Sequence, residues 1–166
     1  MNMIFTRRSI RSFNDTPVEA EKLDRILRAG MQAPSAHNKQ PWQFLVVRNE
    51  ETREFLSHVT PYTSHIAKAP VCIVVLGEMS AERIKEFIQQ DLSACTQNIL
   101  LQTAEEGLGG LWMGLYPDES RVQKVKEYFN LPDDIIPFCL ISIGHSDRKN
   151  EFVDRYAASK IHYEKY

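Results

Sequence analysis

The chain of 166 residues contains no apolar run long enough to cross a lipid bilayer. Its longest runs, such as residues 71–76, are far shorter than the roughly 20 residues that a transmembrane helix needs. The N-terminus also lacks an apolar core followed by a small-residue cleavage site, so we expect no signal peptide. We therefore predict a single cytoplasmic domain that spans residues 1–166 and binds no membrane.

An excess of charge of one sign is missing as well. The net charge is −2 at pH 7, so no overall field favours nucleic acid, and we expect no such partner. Cysteine is scarce, and Cys72, Cys95 and Cys139 all lie in apolar segments. No CxxC motif or Cys/His pairing suggests a metal site, so we predict buried, reduced thiols and no bound metal.

The glycine motifs that hold phosphate in many nucleotide-binding proteins are absent. Neither GxGxxG nor GxxxxGKS/T follows any predicted strand. The one glycine-rich stretch, residues 107–110, follows a predicted helix, and the C-terminal end of a helix repels anions. We interpret this stretch as the C-cap of that helix.

Hydrophobic periodicity predicts helices that alternate with strands. The first helix is predicted to start at Thr16 as N-cap, with Pro17 and Glu19 in its first turn. Gly30 and Pro34 are predicted to end it. The other predicted segments are strands at 42–48, 71–77, 111–115 and 136–144 and helices at 50–58, 80–106 and 118–129. Simple alternation of this kind favours a doubly wound parallel sheet.

The helix predicted over residues 80–106 is apolar on most of its sides. Its apolar residues recur at helical spacing and include Ile84, Phe87, Ile88, Leu92, Cys95, Ile99, Leu100 and Leu101. A helix of this kind is enclosed by protein. It forms either the core of a monomer or the centre of a dimer.

Arginine and serine are concentrated in one N-terminal segment, Arg7-Arg8-Ser9-Ile10-Arg11-Ser12-Phe13. The guanidinium group of arginine donates two parallel hydrogen bonds to phosphate oxygens, and serine hydroxyls add short hydrogen bonds. In an extended backbone Arg7, Ser9 and Arg11 point to one side, which predicts an anion site. The alternative is a solvated basic arm.

A second polar cluster, Pro34-Ser35-Ala36-His37-Asn38-Lys39-Gln40-Pro41-Trp42, lies between a predicted helix and a predicted strand. Its side chains offer more hydrogen bonds than a turn requires. These groups serve either the turn itself or a molecule bound to it. We expect Gln40 and Trp42 to brace the turn and His37 to lie on the surface.

In combination, these segments resemble the FMN-dependent nitroreductase family. The resemblance rests on the basic segment, the helix that Thr16-Pro17 opens and the turn at 34–42. It continues through Gln90-Asp91-Leu92-Ser93-Ala94, Gln97-Asn98-Ile99-Leu100-Leu101, residues 107–114, Ile143-Gly144-His145 and Arg155-Tyr156. It therefore covers nearly the whole chain.

This resemblance implies a three-layer α/β/α fold of the α+β class. The central sheet would be mostly antiparallel, which overrides the parallel topology that alternation favours. The chain would form an intertwined homodimer, with the tail after Gly144 crossing to the partner.

The resemblance also implies contacts with FMN from the N-terminal segment. Arg7 and Arg155 match the family's phosphate and ribityl positions. Arg8 and Ser9 match neighbouring positions. Arg11 matches the basic residue near the pyrimidine edge of the ring, where a positive donor stabilises charge left by hydride addition. Without the resemblance, Arg155 reads as a surface charge in a polar tail.

Two further segments are implied to contact the flavin. The opposite subunit would supply the turn residues that lie along it, namely Pro34, Ser35, Ala36 and Asn38. The segment that passes over the ring would be Gly114, Leu115 and Tyr116. Ala36 stands where the family often has a hydroxyl residue, so one hydrogen bond to the flavin is expected to be missing.

The implied activity is that of an FMN-dependent oxidoreductase. NAD(P)H delivers hydride to flavin N5 and leaves, and a small acceptor such as a nitroaromatic or a quinone replaces it, which gives ping-pong kinetics. The flavin carries the chemistry, so no catalytic side chain is predicted. The chain lacks the long inserted segment that larger members of the family place over the substrate side of the flavin.

Three alternatives remain at this point. The chain could store FMN or act as a regulatory module without NAD(P)H turnover. Its basic arm could bind nucleic acid, although the overall charge argues against this. A specialised reductive flavoenzyme such as a dehalogenase would share the same site.

Overall fold

The computed structural model describes residues 2–81 and 86–166, which form an α+β fold. The helices are α1 (Met3–Thr6), α2 (Ala20–Met31), α3 (Glu50–Ser57), α4 (Glu86–Glu105) and α5 (Glu119–Phe129). The strands are β1 (Trp42–Val47), β2 (Val71–Glu78), β3 (Gly109–Gly114) and β4 (Ile135–Gly144). Short 3₁₀ segments cover Ala36–Asn38, Ser64–Lys68 and Ala158–Lys160. The predicted strands are therefore present, close to their expected ends.

The strands form one sheet in the order β1-β2-β4-β3, and each neighbouring pair is antiparallel. The parallel sheet favoured by alternation is wrong, and the antiparallel sheet implied by the family resemblance is confirmed. Alternation misleads because α3 lies between β1 and β2 and α5 lies between β3 and β4, although both pairs are antiparallel neighbours. Strand β2 gives no contrary signal, because all of residues 71–77 are buried. A strand covered on both faces is apolar throughout, as the strands of parallel sheets are.

Helices cover both faces of the sheet, which gives the expected three layers. One core lies between the sheet and the pair α2 and α4, and it contains Ile73 and Leu92. The other core lies between the sheet and the pair α3 and α5, and it contains Val74, Leu56 and Val125. Neighbouring residues of β2 thus enter opposite cores, as the pleat of a strand requires.

Helix α2 begins at Ala20, so the predicted start at Thr16 is wrong. Glu19 is the N-cap residue, and its side chain makes no capping hydrogen bond. The preceding segment stays outside the helix for two reasons. Val18 is buried in the core, and the Thr16 N–H donates to Asn14 Oδ1 at 3.1 Å.

Helix α2 ends at Met31, between Gly30 and Pro34 as predicted, but Gly30 itself lies inside the helix. A Cβ atom on Gly30 would lie 2.8 Å from Ile99 Cγ1 and 3.3 Å from Cys95 Sγ, both on α4. The close approach of α2 to α4 therefore requires glycine at this position.

Helix α4 is the enclosed helix that the sequence predicted, although it is shorter. Its buried side chains are Ile88, Asp91, Leu92, Cys95, Thr96, Ile99, Leu100, Thr103 and Ala104. Ser80 and Ala81, at the predicted start, are not helical, and Ile84 lies outside the described residues. In the described ranges, no helix combines the length and the hydropathy that a bilayer crossing requires.

The glycine-rich stretch after α4 does more than cap the helix. Gly107 has a φ of +73°, so the C-cap interpretation holds for this residue. Gly109 and Gly110 instead open β3. A Cβ atom on Gly109 would lie 2.6 Å from Ile10 Cγ2, so the N-terminal segment crosses β3 where there is no side chain.

The three cysteines are free and buried, as predicted. Burial raises the pKa of Cys72 and Cys95 to about 12, and it also raises the pKa of Cys139. A thiol with so high a pKa holds almost no thiolate at neutral pH.

We therefore expect native protein to resist iodoacetamide at about pH 8, because the reacting species is the thiolate. After unfolding in urea, all three cysteines should be modified, which intact mass spectrometry would count. Fast modification of any thiol before unfolding would contradict the burial described here.

Candidate functional site

The basic N-terminal segment runs along the edge of the sheet that β3 forms. Ser9 pairs with Gly110 in a parallel bridge, and the Ile10 N–H donates to the Gly110 carbonyl at 3.1 Å. Ile10 is buried, whereas Ser9 and Arg11 are exposed. The alternation expected of an extended segment is confirmed for Ser9, Ile10 and Arg11, and Ser9 and Arg11 face away from the core. It does not extend to Arg7 and Arg8, which are both half-buried.

Arg8 is tied to helix α1. Its Nη1 donates to the Arg7 carbonyl at 2.6 Å, and its Nη2 donates to the Phe5 carbonyl at 2.8 Å. Its backbone N–H donates to Asn150 Oδ1 at 2.8 Å. The Arg8 Nε is buried and has no hydrogen-bond partner among the described residues. An acceptor at this point would satisfy a buried donor.

Arg7 is half-buried and lies close to two other guanidinium groups. Burial lowers its pKa, and the charges of Arg8 and Arg155 lower it further. Within residues 2–81 and 86–166, none of these arginines forms an ion pair with a carboxylate. Neighbouring like charges without a counter-ion attract an anion. The structure thus brings Arg7, Arg8 and Arg155 together, as the family resemblance implied.

A cavity of about 460 Å³ opens beside the basic segment. Its lining consists of Arg8, Ser9, Ile10, Arg11, Ser12, Arg148, Lys149 and Glu151. Arg148 and Lys149 were missed as site residues, although they form a visible basic pair in the polar tail. We call this the basic cavity.

A second cavity of about 580 Å³ shares Arg11 with the basic cavity. Its lining consists of Arg11, Thr60, Tyr62, Ser64, His65, Leu111, Trp112, Met113, Gly114 and Arg121. A Cβ atom on Gly114 would meet no atom within 4 Å, so the space beside it is open. We call this the aromatic cavity.

His65 is a residue of the aromatic cavity that the sequence did not indicate. It is half-buried, and its Nε2 lies 2.8 Å from Met113 Sδ. Burial lowers its pKa, and the charge of Arg11 lowers it further, so the ring is neutral at pH 7. No local motif marks His65, because only tertiary folding brings its 3₁₀ segment to the edge of β3.

The turn at residues 34–42 has an unusual backbone. His37, Asn38 and Gln40 have φ angles of 51°, 55° and 51°, a region that residues other than glycine and asparagine seldom adopt. Ser35 closes the turn, since its carbonyl accepts from the Asn38 N–H at 3.1 Å and its Oγ accepts from the Gln40 N–H at 2.9 Å. Trp42 is buried in the core, so its role is structural, and the bracing of the turn by this residue stays a prediction.

The turn lies apart from both cavities of its own chain. It contacts α4, where Asp91 Oδ1 accepts from the Ala36 N–H at 3.0 Å. No residue of the turn lines the basic or the aromatic cavity. The Asn38 side chain is exposed and makes no hydrogen bond within the described residues. The structure therefore does not join Pro34, Ser35, Ala36 and Asn38 to the arginine cluster of the same chain.

The segment after β3 turns inward. Leu115 is buried in the core under α3 and α5, and Tyr116 packs on the other core with its hydroxyl 3.5 Å from Gln89 Nε2. Gly114 alone of the three predicted ring contacts lines the aromatic cavity. Flavin contacts by Leu115 and Tyr116 stay predictions.

Known proteins resemble this chain along most of its length. Residues 4–145 match the model of the Nitroreductase family. The chain belongs to the nitroreductase family. It is 42% identical over 166 residues to a protein of Methanothermobacter thermautotrophicus provisionally named NADH dehydrogenase/NAD(P)H nitroreductase, covering 100% of this chain and 87% of that protein. Membership makes the chain an oxidoreductase.

Solved structures of nitroreductase-family proteins share the fold. A provisionally named NADH oxidase of Clostridium acetobutylicum is 45% identical, with a TM-score of 0.95 over 99% of both chains. An FMN-dependent nitroreductase of Clostridium difficile R20291 is 29% identical, with a TM-score of 0.92 over 99% of both chains. A nitroreductase-like protein of Desulfovibrio desulfuricans in complex with FMN is 29% identical, with a TM-score of 0.85, covering 99% of this chain and 95% of that chain.

The residues of this nitroreductase-family chain fit FMN. The unpaired guanidinium groups and the buried Arg8 Nε suit a phosphate. The open space at Gly114, beside Trp112 and His65, suits a flat ring. Arg11 lines both cavities, so one ligand with a phosphate at one end and a ring at the other would contact it.

Gly114→Leu should separate folding from ligand binding. Because a Cβ atom at Gly114 meets no neighbour, we expect the free energy of unfolding in urea to change little. The leucine side chain would fill the aromatic cavity, so FMN affinity, titrated by flavin fluorescence, should fall by at least about tenfold.

Gly109→Ala is the matched control in the same strand. Its Cβ atom would lie 2.6 Å from Ile10 Cγ2, and overpacking of this kind lowers stability by about 1–3 kcal/mol. Unchanged FMN affinity in Gly114→Leu would show that the aromatic cavity does not hold the ring.

Proposed function

We propose that this chain is an FMN-dependent oxidoreductase that takes hydride from NAD(P)H and passes it to a small acceptor such as a nitroaromatic or a quinone. The observation that carries the proposal is the pair of cavities that share Arg11. The basic cavity is lined by four cationic side chains and one carboxylate, Glu151, and the aromatic cavity includes Tyr62, His65 and Trp112. Phosphate and a flat ring are the two ends of FMN.

Names of related proteins support the cofactor and the reductant. The Clostridium difficile protein is FMN-dependent, and the Desulfovibrio desulfuricans protein was solved with FMN. A Bacillus subtilis relative, 29% identical over 154 residues, is named FMN reductase [NAD(P)H]. Those names describe the relatives, and the shared family extends them to this chain as a hypothesis.

Each cationic residue has a role in the proposal. Arg7 and Arg155 line neither cavity, but Arg7 lies beside both Arg8 and Arg155, and neither Arg7 nor Arg155 forms an ion pair in the described chain, so we assign them to the phosphate. Arg8 holds α1 in place through its terminal nitrogens and offers its Nε to an acceptor. The exposed Ser9, which lines the basic cavity, would hold the ribityl chain through its hydroxyl.

Arg11 and His65 act at the ring. Bound FMN supplies two-electron chemistry, accepting hydride from NAD(P)H at N5 and giving it to the acceptor. Arg11 places a positive donor beside the pyrimidine edge, where negative charge develops. Neutral His65, next to Arg11, holds one ring proton and can donate it in a hydrogen bond.

The proposal includes a homodimer, with the turn at 34–42 supplied by the partner. Within one chain that turn reaches neither cavity, and the Asn38 carboxamide points outward. Large apolar side chains are also exposed, including Ile4 at 67% and Tyr156 at 71%. In the described residues, β1 has no strand on its outer edge. These surfaces need cover that one chain does not provide.

The tail can reach a partner only with its later residues. The Val153 N–H donates to the Phe5 carbonyl at 3.0 Å, and the Phe152 ring stacks on Phe5 at 5.7 Å between centroids. Residues 152 and 153 therefore contact α1 of their own chain, although Phe152 remains 65% exposed. Beyond them, Tyr163 is 79% exposed and available for a crossing.

Colour and turnover test the proposed function directly. Purified protein should be yellow and should release FMN on denaturation, and NADH or NADPH should bleach the bound flavin near about 450 nm. Reoxidation by a nitroaromatic, a quinone or a halogenated phenol would then identify the acceptor class. FMN that stays oxidised with both nucleotides would favour storage or regulation, and a colourless protein that ignores added FMN would end the proposal.

Replacing Arg7 and Arg155 together with alanine should weaken FMN binding by about a hundredfold or more, because two charge-assisted contacts with phosphate are lost. The fold should persist, since neither arginine is in an ion pair in the described chain. Binding would be measured by equilibrium dialysis and folding by thermal melts without FMN.

Arg28→Ala is the control for loss of positive charge. Arg28 lies on α2 and pairs with Asp24 at 2.6 Å, away from both cavities. This variant should keep normal FMN affinity. Equal affinity in the double variant and in Arg28→Ala would mean that the phosphate lies elsewhere.

A further inference from the structure

Asp91 is a buried carboxylate in the middle of an apolar helix. It is 5% exposed, and among the described residues it is the one acidic side chain in the buried class. Burial of a carboxylate is unfavourable unless hydrogen bonds compensate for the lost water. The residue is therefore expected to have a specific task.

One contact of Asp91 points to that task. Its Oδ1 accepts from the Ala36 N–H at 3.0 Å, which joins α4 to the turn across 55 positions of the chain. Hydrogen bonds of N–H groups to a carboxylate are among the stronger ones in proteins. The bond holds the first residue of the 3₁₀ segment Ala36–Asn38.

The turn needs a contact of this kind with the rest of the protein. The N–H groups of Asn38, Lys39 and Gln40 all bond inside the turn, to Ser35 and Ala36. Those bonds fix its shape but not its place on the protein. Three positive φ angles in four residues make this shape unfavourable for a free peptide. A contact from a rigid helix fixes both the shape and the place.

We propose that Asp91 is a positioning residue for the flavin site. It holds the Ala36 amide on α4, so that the Ser35 hydroxyl and the Asn38 carboxamide are presented, already ordered, to FMN bound by the partner. This inference rests on the proposed function. It predicts that Asp91, which lines neither cavity of its own chain, controls flavin affinity.

The first test compares FMN affinity in Asp91→Ala, Asp91→Asn and the control Leu92→Ala. Leu92 is fully buried on the same helix and packs toward Gly77, so its truncation destabilises α4 but leaves both partners of the Asp91–Ala36 hydrogen bond in place. Asp91→Ala should bind FMN at least about tenfold more weakly than Leu92→Ala, the order expected for loss of a hydrogen bond to a charged group. Asp91→Asn keeps an acceptor oxygen and should bind nearly as well as the wild type.

A variant on the other side of the hydrogen bond keeps the test independent of the stability of α4. Ala36→Pro removes the N–H donor, and proline is tolerated at the first position of a helical turn that follows an extended residue such as Ser35. It should weaken FMN binding as Asp91→Ala does. Because both changes break one bond, the double variant should bind no worse than either single variant.

Mixed dimers test whether the positioned turn acts on the partner's flavin. One chain carries Asp91→Ala, and the other carries Arg7→Ala with Arg155→Ala. If each flavin site combines the arginine cluster of one chain with the turn of the other chain, one of the two sites in a mixed dimer contains both parts intact. Mixing should therefore restore tight binding of one FMN per dimer, whereas sites contained in single chains would show no recovery.

The outcomes separate this inference from the proposed function. Wild-type protein that binds no FMN would end the proposed function. Wild-type binding with equal affinity in Leu92→Ala, Asp91→Ala and Ala36→Pro would overturn the role of Asp91 alone. Equal weakening in Leu92→Ala and Asp91→Ala, with normal binding in Ala36→Pro, would also overturn it, since general destabilisation would then be the cause.

Discussion

The contact between Ile10 and Gly109 determines where the arginines of this protein lie. Ile10 packs where a Cβ atom of residue 109 would be 2.6 Å away, so only glycine leaves room for it. Together with the bridge between Ser9 and Gly110, this contact fixes the basic segment on the edge of β3. Arg11 then opens onto both cavities. The candidate anion site thus depends on an uncharged packing contact.

Without a bound anion, the electrostatic interactions of the arginines beside the β3 edge destabilise the folded chain. Burial and two like charges disfavour the charged form of Arg7, and the buried Arg8 Nε lacks a partner in the described structure. A phosphate would relieve both effects, since it supplies charge and acceptors together. A ligand that binds only the folded state also stabilises it by mass action. Under the proposed function, binding affinity and stability therefore arise from the same cluster.

Local patterns predicted the strands and most helices, because apolar periodicity and burial are closely related. These patterns failed where tertiary contacts determine the strand direction or the role of a residue. Strand direction was predicted wrongly because helices lie between neighbouring strands that are nevertheless antiparallel. Gly30 was taken as a signal for the helix end, although it serves the packing of α2 on α4. Within the candidate site, the arginine cluster was visible from the family motif. His65 was not, because only the folded chain brings its 3₁₀ segment beside β3.

The turn at 34–42 shows why residue types alone could not tell side chains that stabilise the turn from side chains that bind a ligand. Ser35 supports the turn, since its Oγ accepts from the Gln40 N–H. Under the proposed function, its hydroxyl hydrogen would also serve an acceptor on the flavin. Binding to a turn that is already ordered avoids the entropy loss of ordering it. Buried Asp91 anchors this turn by a hydrogen bond. It lies on α4, which also packs against α2 and the sheet. In a shared site, the core of one subunit would therefore set how tightly its partner holds the flavin.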